Sequence, residues 1–301
     1  MVTAPRRMLI PVDDSQASVA ALQVGYRLAT YFRSSIHLLH AAYTPPHIAP
    51  ERAVQMVTGQ SLTTVGAIAL EAGGHRMNAL VAEHPPPPEV TVTTEVQYGL
   101  PLQVVGATAS AYDLVIVGTH NARGLAGLFA GCTSERVIRH IDGPVLVARP
   151  CVFPMRRICV AVDFSQPSVA AVDYGVMLAK RLDAMLHFVH VTPPLSALES
   201  FGLHVMSSPN EPSVSLHDYA WTQARQALRR FLDRDFSGVE MHMEVRMGDP
   251  ADEIVAAAEA MEASLIVMGT HGQTASGVVG LGSVADRVVR TANCSVLTTR
   301  S

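Results

Sequence analysis

Residues 6–21 read RRMLIPVDDSQASVAA, and residues 156–171 read RRICVAVDFSQPSVAA. The two stretches correspond position by position, so that Asp163 follows Asp13 by 150 residues. A correspondence sustained over this length indicates that the chain contains an internal duplication.

Two further matches extend the repeat. His190 follows His40 by 150 residues, and each of these histidines ends an apolar run that is soon followed by a Pro-Pro pair. Near the end of each half, Val-Gly118-Thr-His matches Met-Gly269-Thr-His with a spacing of 151 residues. We therefore expect two domains, residues 1–150 and 151–301, each of the commonest domain size.

Each half predicts an alternation of strands and helices. In the second half the predicted strands are 158–162, 185–191, 239–246, 265–268 and 296–299, and the predicted helices are 166–181, 221–233, 251–262 and 284–290. In the first half the predicted strands are 8–12, 36–40, 90–96, 114–117 and 145–147, with a less regular, glycine-bearing helical segment at 59–83. This order predicts an α/β fold with two tandem, doubly wound, parallel five-stranded sheets.

A glycine-rich loop follows the fourth predicted strand of the second half. The spacing Gly-x2-Gly-x9-Gly-Ser places Gly269, Gly272, Gly282 and Ser283 between a strand and a helix. Glycines let bare backbone amides approach a ligand, and a helix N-terminus favours an anion. Such a loop also occurs as a plain turn, but its position beyond the carboxyl end of a parallel strand favours a phosphate site.

Asp163 ends the first predicted strand of the second half, at the same edge of the sheet. It has two interpretations, a plain helix-entry residue ahead of the capping Ser165 or a ligand contact. Its recurrence as Asp13 in the first half favours the ligand contact.

The second half resembles the ATP-binding signature of the universal stress protein family. The resemblance rests on Met268-Gly-Thr-His-Gly272 with Gly282-Ser283, on Val-Asp163-x-Ser165 and on His190-Val191. It extends to both halves, so the chain resembles a tandem universal stress protein with adenine nucleotide alpha hydrolase-like domains. It implies a stress-response or regulatory protein that binds ATP, AMP or ADP, and it allows magnesium to accompany the nucleotide.

The resemblance also implies roles for individual residues. Asp163 and Val191 would flank the adenine base and the ribose. The phosphate side would be lined by Met268, Gly269, Gly272, Gly282, Ser283 and Val284.

The first half departs from this pattern at two positions. Asn121 replaces the second glycine, and Cys132 replaces the serine. Asparagine tolerates left-handed backbone angles, but a thiol is a poorer hydrogen-bond donor than a hydroxyl. We therefore expect weaker or absent nucleotide binding in the first half, with Asp13, Gly118 and Gly131 as remnants of the site.

Composition limits the partners. The net charge is −4 and no dense Lys/Arg run occurs, so nucleic acid is not an expected partner. No apolar stretch is long enough to span a membrane. The four cysteines form no CxxC pair, which suggests reduced thiols and a cytoplasmic protein.

Catalytic and metal-binding interpretations are weaker. The histidines form no HExxH motif or Cys/His cluster, and Gly-x-Ser-x-Gly is absent. The loop also lacks the phosphate-reaching lysine that an efficient ATPase normally supplies. The residues favour a binding protein without catalytic residues or a metal site, and a slow ATPase or nucleotide-handling hydrolase is the alternative.

The fifth predicted strand of each half would lie at a sheet edge, and exposed apolar edges invite pairing. We expect the two halves to imitate a homodimer within one chain, and a homodimer of the whole chain stays open. The sequence identifies no regulatory protein partner.

Overall fold

The computed structural model describes residues 2–43, 62–119, 139–193, 216–271 and 281–300. The chain forms two units, one of Ala4–Pro150 and the other of Cys151–Ser301 together with Met1–Thr3. Each unit is an α/β domain, and each is described by itself below.

The first domain is built on short apolar strands. Its described elements are β1 (Arg7–Pro11), α1 (Gln16–Phe32), β2 (Ser35–Ala42), α2 (Leu62–Glu83), β3 (Val92–Tyr98), α3 (Pro101–Ala109), β4 (Leu114–Gly118) and β5 (Val145–Ala148). The strands are parallel in the order β3-β2-β1-β4-β5. Four consecutive residues of β4 and all of β5 are buried, as expected for strands covered on both faces.

The second domain repeats this architecture. Its described elements are β6 (Arg157–Ala161), α4 (Gln166–Leu182), β7 (Met185–Thr192), α5 (Leu216–Phe231), β8 (Met241–Met247), α6 (Pro250–Ala260), β9 (Leu265–Gly269), α7 (Ser283–Thr291) and β10 (Ser295–Thr299). The strands are parallel in the order β8-β7-β6-β9-β10, which is the order of the first domain. The predicted α/β fold with two doubly wound five-stranded sheets is confirmed.

The strand order fixes where a ligand crevice forms. In the first domain β1 lies between β2 and β4, and in the second β6 lies between β7 and β9. The direction of winding switches at these central strands. Ligands of open parallel sheets bind beyond the carboxyl ends of the strands at such a point.

The first helix of each domain begins with the same cap. Ser15 Oγ accepts from Ser18 N at 3.2 Å, and Ser165 Oγ accepts from Ser168 N at 3.4 Å. A serine N-cap stabilises a helix by about 1 kcal/mol. The cap therefore fixes the start of each helix, next to the aspartate that ends the preceding strand.

A glycine lets each of these helices approach its sheet. A Cβ at Gly25 would lie 2.3 Å from Ile10 Cδ1, and one at Gly175 would lie 2.8 Å from Val160 Cγ2. Real Cβ atoms do not approach so closely, so the glycine sets the helix-to-sheet distance in both domains.

The outer strands begin later than the sequence predicts. β3 starts at Val92 rather than Val90, because Val90 N donates to Pro87 O in a turn. β8 starts at Met241 rather than Val239, because Val239 N donates to Phe236 O in the same way. Apolar character alone does not separate the end of such a turn from the start of a strand.

The glycine-bearing segment of the first half forms a continuous helix, α2, despite its irregular pattern. One of these glycines, Gly73, is required by packing. A Cβ there would lie 2.8 Å from Val96 Cγ1 and 3.0 Å from His40 Cδ2. The missing side chain lets α2 pack directly against β2 and β3.

Three of the four cysteines lie in the described part of the chain, and none of these three forms a disulfide: Cys151, Cys159 and Cys294. Cys159 is fully buried, and burial raises the pKa of its thiol, which keeps it protonated. Within the described ranges, no helix has the length and apolar character needed to cross a membrane.

Candidate functional site

A cavity of about 470 Å³ opens at the carboxyl ends of the second domain's strands. The structure brings together seven of the residues singled out from the sequence on its wall: Asp163, Val191, Met268, Gly269, Gly282, Ser283 and Val284. Gly272 lies outside the described residues. The volume falls in the range typical of small-molecule sites.

Asp163 is held rigidly at the end of β6. Its Oδ1 accepts from Ser165 N at 3.0 Å and from the hydroxyls of Ser165 and Ser168, each at 2.5 Å. Its own amide donates to Ser168 Oγ at 3.1 Å. Asp163 is therefore a helix-entry residue that also lines the cavity, and its predicted ligand contact stays a prediction.

Phe164 follows with φ of 64°, a left-handed conformation that is unusual for a bulky residue. Its ring lies 4.3 Å from the His190 ring and 5.5 Å from the Phe231 ring of α5, centroid to centroid. Phe164 and His190 both line the cavity. The sequence analysis did not include Phe164, because neither its backbone angle nor its stacking partners can be read from the local pattern.

His190 has a structural role that accounts for its recurrence. Its Nδ1 donates to the carbonyl of Val162 at 2.8 Å, and burial lowers the pKa of the imidazole. The neutral ring thereby ties the end of β7 to the end of β6. Val191, the next residue, is held at the cavity wall as a result.

Gly269 is required for close packing rather than for a left-handed turn. A Cβ there would lie 2.6 Å from Pro167 Cβ and 3.1 Å from the Pro167 carbonyl carbon at the start of α4. Among the described glycines, those with positive φ lie elsewhere, at Gly99, Gly238 and Gly248. Gly269 also lines the cavity, and its predicted part in phosphate binding stays a prediction.

One amide of the predicted phosphate loop is already used within the protein. Gly282 N donates to Thr270 O at 2.7 Å, and Thr270 N donates to Thr299 O at 2.9 Å. Gly282 thus lines the cavity but does not offer its amide. These two bonds fix the start of α7 against the end of β9.

The next amides along the chain are available. Gly282 is the N-cap of α7, with φ −62° and ψ 154°, and provides no side-chain cap. The residues that follow, Ser283, Val284 and Ala285, line the cavity. Because first-turn amides have no partner within a helix, this uncapped N-terminus directs hydrogen-bond donors and the positive end of the helix dipole at the cavity.

Two further elements complete the wall. Pro250 and Ile254 of α6 line the cavity, as does His271 just beyond β9. The α6 residues have no sequence signal, because only the packing of α6 on β6 and β7 brings them there. Thr270-His271 was visible as part of the repeated motif, but its side chains had no assigned role.

The electrostatics of the described lining are simple. Asp163, His190 and His271 are its titratable side chains, and it includes no lysine or arginine. In the described ranges, no three His, Cys, Asp or Glu side chains are grouped so as to hold a metal ion. The described walls thus offer a carboxylate, two imidazoles, helix amides and apolar surface.

The first domain keeps the aspartate turn. Asp13 Oδ1 accepts from Ser15 N at 3.0 Å and from Ser18 Oγ at 2.6 Å, and His40 Nδ1 donates to Val12 O at 2.8 Å. The local structure around Asp13 therefore reproduces that around Asp163.

The cavity beside Asp13 differs from that of the second domain. It measures about 250 Å³ and lies between the start of α1 and the end of α2, with Asp14, Arg76 and His84 on its wall. Gly118 is not part of this lining, and a Cβ there would lie 1.8 Å from Ala17 O. Of the predicted remnants, Gly131 lies outside the described residues, as do the substituted positions Asn121 and Cys132.

Comparison with known proteins identifies the family. The universal stress protein family model matches residues 5–149 and again residues 154–300, so the chain belongs to the universal stress protein family and carries two of its domains in tandem. Universal stress protein MJ0531 of Methanocaldococcus jannaschii is 34% identical over 143 residues, which cover 47% of this chain and 80% of that protein.

Two further proteins match along nearly the whole chain. A universal stress protein of Mycolicibacterium smegmatis is 25% identical over 315 residues, covering 97% of this chain and 96% of that protein. The crystal structure of a universal stress protein from Archaeoglobus fulgidus superimposes with a TM-score of 0.67 at 20% identity, covering 99% of this chain and 97% of that one. The structural match supports the fold.

Proposed function

We propose that the second domain binds an adenine nucleotide, and that the nucleotide acts as a conformational ligand in a stress-response or regulatory protein. The observation that carries the proposal is the convergence of Asp163, Val191 and the uncapped N-terminus of α7 on one cavity. The proposal assigns the phosphate end to α7 and the base and ribose to the region between β6 and β7.

The phosphate end follows from the free amides. The first-turn residues of α7 line the cavity without a side-chain cap, and Ser283 adds a hydroxyl donor beside their amides. A helix N-terminus with such donors binds phosphate without a lysine, because the donors and the helix dipole act together. The phosphate chain of ATP, ADP or AMP is the ligand group that this arrangement suits.

The base end follows from the apolar wall. The side chains of Val162, Val191 and Ile254 give the cavity an apolar wall. The flat faces of an adenine ring pack well against such a wall, while a ribose hydroxyl suits a carboxylate such as Asp163. The cavity thus has an apolar wall for the base and helix amides for the phosphate groups of one nucleotide.

Binding is favoured over catalysis by the charges at the site. The described lining includes no lysine or arginine that could neutralise a developing phosphoryl charge, and Asp163 is the carboxylate it offers. Efficient phosphoryl transfer needs both a cation and acids that hold magnesium near the phosphates. The site therefore suits a nucleotide that is held rather than consumed.

The first domain is assigned weaker or absent nucleotide binding. Its cavity beside Asp13 is about half as large, and Arg76 of α2 approaches Asp14 at 3.5 Å on its wall. These features support the expectation drawn from Asn121 and Cys132.

A proline substitution tests the amide donors. Ser283 is the first helical residue of α7, where proline fits, and Gly282 has the extended conformation preferred before proline. Ser283→Pro therefore removes an amide and a hydroxyl donor while α7 keeps its hydrogen bonds. Calorimetry is expected to show ATP affinity about tenfold weaker, whereas Ser283→Ala, which removes only the hydroxyl, loses about threefold.

Cys132→Pro is the matched control at the equivalent sequence position of the first half, and it should leave the affinity unchanged. If instead Ser283→Pro binds ATP as tightly as the wild type, the amides of α7 do not hold the nucleotide. Phosphate release over many turnovers in the same samples would favour the ATPase alternative.

A further inference from the structure

Phe164 connects the wall of the second-domain cavity to helix α5. Phe164 and His190 both contribute to that wall, and their rings lie 4.3 Å apart, centroid to centroid. The Phe164 ring also meets the ring of Phe231 edge to face at 5.5 Å. Phe231 is the last residue of α5, and α5 contributes none of the described lining. A continuous aromatic contact therefore runs from the cavity wall to a helix outside it.

The backbone of Phe164 has a conformation that a bulky residue rarely adopts. Its φ of 64° lies in the left-handed region, and such strain persists only where the surrounding contacts maintain it. The bonds of Asp163 to Ser165 and Ser168 fix the turn around Phe164, and the two ring contacts fix its side chain. Because these contacts are closely packed, a change of the wall at Phe164 also changes its contact with Phe231.

Helix α5 reaches from the sheet to the protein surface. Its buried side includes Ala224 and Leu228, and the helix packs on β7 and β8. Its outer side includes the exposed Trp221 and Arg225, with the guanidinium carbon 5.1 Å from the centroid of the indole ring. A change at Phe231 therefore acts on a helix with one face on the sheet and one face in solvent.

The first domain makes a different connection at the same place. Asp14 has the position of Phe164 in the repeat, and it pairs with Arg76 of α2 at 3.5 Å. Both side chains are more than half exposed, and an exposed ion pair is weak and screened by salt. Helix α2, which takes the place of α5 in the order of elements, is therefore joined to its aspartate turn by a weaker contact.

We propose that α5 is the conformational output of the nucleotide site, and that the contact between Phe164 and Phe231 transmits occupancy of the cavity to it. This inference rests on the proposed nucleotide function of the second domain and names the element that responds. A bound nucleotide restrains the wall at Phe164 and His190, which holds the end of α5 more firmly. Local opening of α5 then becomes less frequent.

Amide hydrogen exchange of the wild type tests the coupling directly. Saturating ATP should slow exchange in peptides of α5 by about fivefold or more, a usual size of coupling between linked sites. Exchange in peptides of α2 should stay the same. Emission of Trp221, the single tryptophan of the chain, is a second readout on the same helix and should change when ATP is added.

Two matched leucine substitutions identify the contact that carries the response. Phe231→Leu removes the ring contact with Phe164 and leaves every described residue of the cavity wall in place. Phe236→Leu is the control, because Phe236 makes the same kind of edge contact, also at 5.5 Å, with Phe188, which is outside the described lining. Both positions are half-buried, and leucine keeps them apolar, so the fold should be retained.

The expected results differ between the two variants. In Phe231→Leu the slowing of exchange in α5 by ATP should fall to about twofold or less, whereas Phe236→Leu should respond as the wild type does. Because a folded helix is open only a small fraction of the time, loss of the coupling should leave ATP affinity, measured by calorimetry, within about twofold of the wild type.

The outcomes separate this inference from the function on which it rests. If ATP binds the wild type without changing exchange or emission in α5, the coupling is wrong and nucleotide binding stands. The same conclusion follows if Phe231→Leu responds like the wild type, if both variants lose the response, or if α2 slows as much as α5. If calorimetry detects no ATP binding to the wild type, the proposed function itself is wrong, and the coupling is rejected with it.

Discussion

The two domains share one aspartate turn but use the residue after it differently. In the first domain Asp14 is exposed and pairs with Arg76 of α2 at 3.5 Å. In the second domain Phe164 has the same place in the repeat, and its ring contacts His190 and Phe231 instead. The hydrogen bonds around Asp13 and Asp163 are nevertheless nearly identical.

The described cavities beside the two aspartates also differ. Beside Asp13 the cavity opens between α1 and α2 and has several charged side chains on its wall. Beside Asp163 the aromatic ring packs toward α5, and the larger cavity extends to β9, α6 and the start of α7. An exposed ion pair such as Asp14–Arg76 contributes about 0–1 kcal/mol to the free energy of unfolding. The pair therefore distinguishes the first cavity from the second without adding much to the stability of the domain.

The comparison teaches that two copies of one turn can have different neighbouring side chains. The hydrogen bonds that hold the aspartate are local, within five residues of it, and both copies keep them. The ligand cavity depends on residues from other elements, which the two halves have changed separately. Nucleotide binding is therefore expected to distinguish the domains even though their folds agree.

The largest expected effect concerns the glycine that ends the fourth strand. Gly118→Ala should destabilise the first domain by about 3 kcal/mol, because its Cβ would lie 1.8 Å from the backbone oxygen of Ala17. Gly269→Ala should cost less, about 1–2 kcal/mol, since its Cβ would meet Pro167 Cβ at 2.6 Å. Amide hydrogen exchange read by mass spectrometry would report each domain separately through peptides of β1 and β6.

Gly106→Ala is the control for the first domain, because a Cβ there meets nothing within 4 Å and alanine favours the helix. It should leave exchange in β1 unchanged or slower. If Gly118→Ala behaves like Gly106→Ala, the close approach of α1 to β4 does not constrain the domain.

The next effect is stabilisation by the ligand. A nucleotide that binds only the folded second domain should stabilise it by about 2.7 kcal/mol at about 100 times its dissociation constant. Exchange of amides in β6 and β9 should then slow, while exchange in β1 and β4 stays the same. Equal protection in the two domains would show that the first domain also binds the nucleotide, and the expected difference between the domains would be wrong.

Much of the fold was predictable because its signals are local and occur twice. Strands buried on both faces are continuous apolar runs, and the serine that caps α1 recurs at the start of α4. Because the two halves align, the order of strands and helices predicted in one half supports the same order in the other. β3 and β8 each begin two residues later than predicted, because a turn that ends at a valine has the same apolar pattern as the start of a strand.

Only the parts of the candidate site that belong to recognisable sequence segments were predictable. Asp163 and Ser283 belong to recognisable segments, and the structure places both at one cavity. The contribution of Ile254 depends on how α6 packs, which no local pattern encodes. The internal use of the Gly282 amide and the unsatisfied Nε2 of His271 likewise emerge only from three-dimensional hydrogen bonding.

The smallest expected effect concerns the pH dependence of the second domain. Burial lowers the pKa of His190 in the folded state, while the unfolded chain keeps an ordinary histidine pKa of about 6.5. As the pH falls through that value, the unfolded state gains a proton that the folded state does not bind. The second domain should therefore be most stable above about pH 7 and lose stability on acidification until the folded-state pKa is passed.

His190→Asn tests this effect, because its amide nitrogen can replace Nδ1 as the donor to Val162 O while the titration is removed. Urea unfolding followed by fluorescence of the single tryptophan, Trp221 on α5, reports the second domain. The variant should lose less stability than the wild type between about pH 7.5 and pH 5.5. His242→Asn, which removes an exposed histidine, should keep the wild-type slope, and an equal slope in all three proteins would mean that burial of His190 does not govern the acid response.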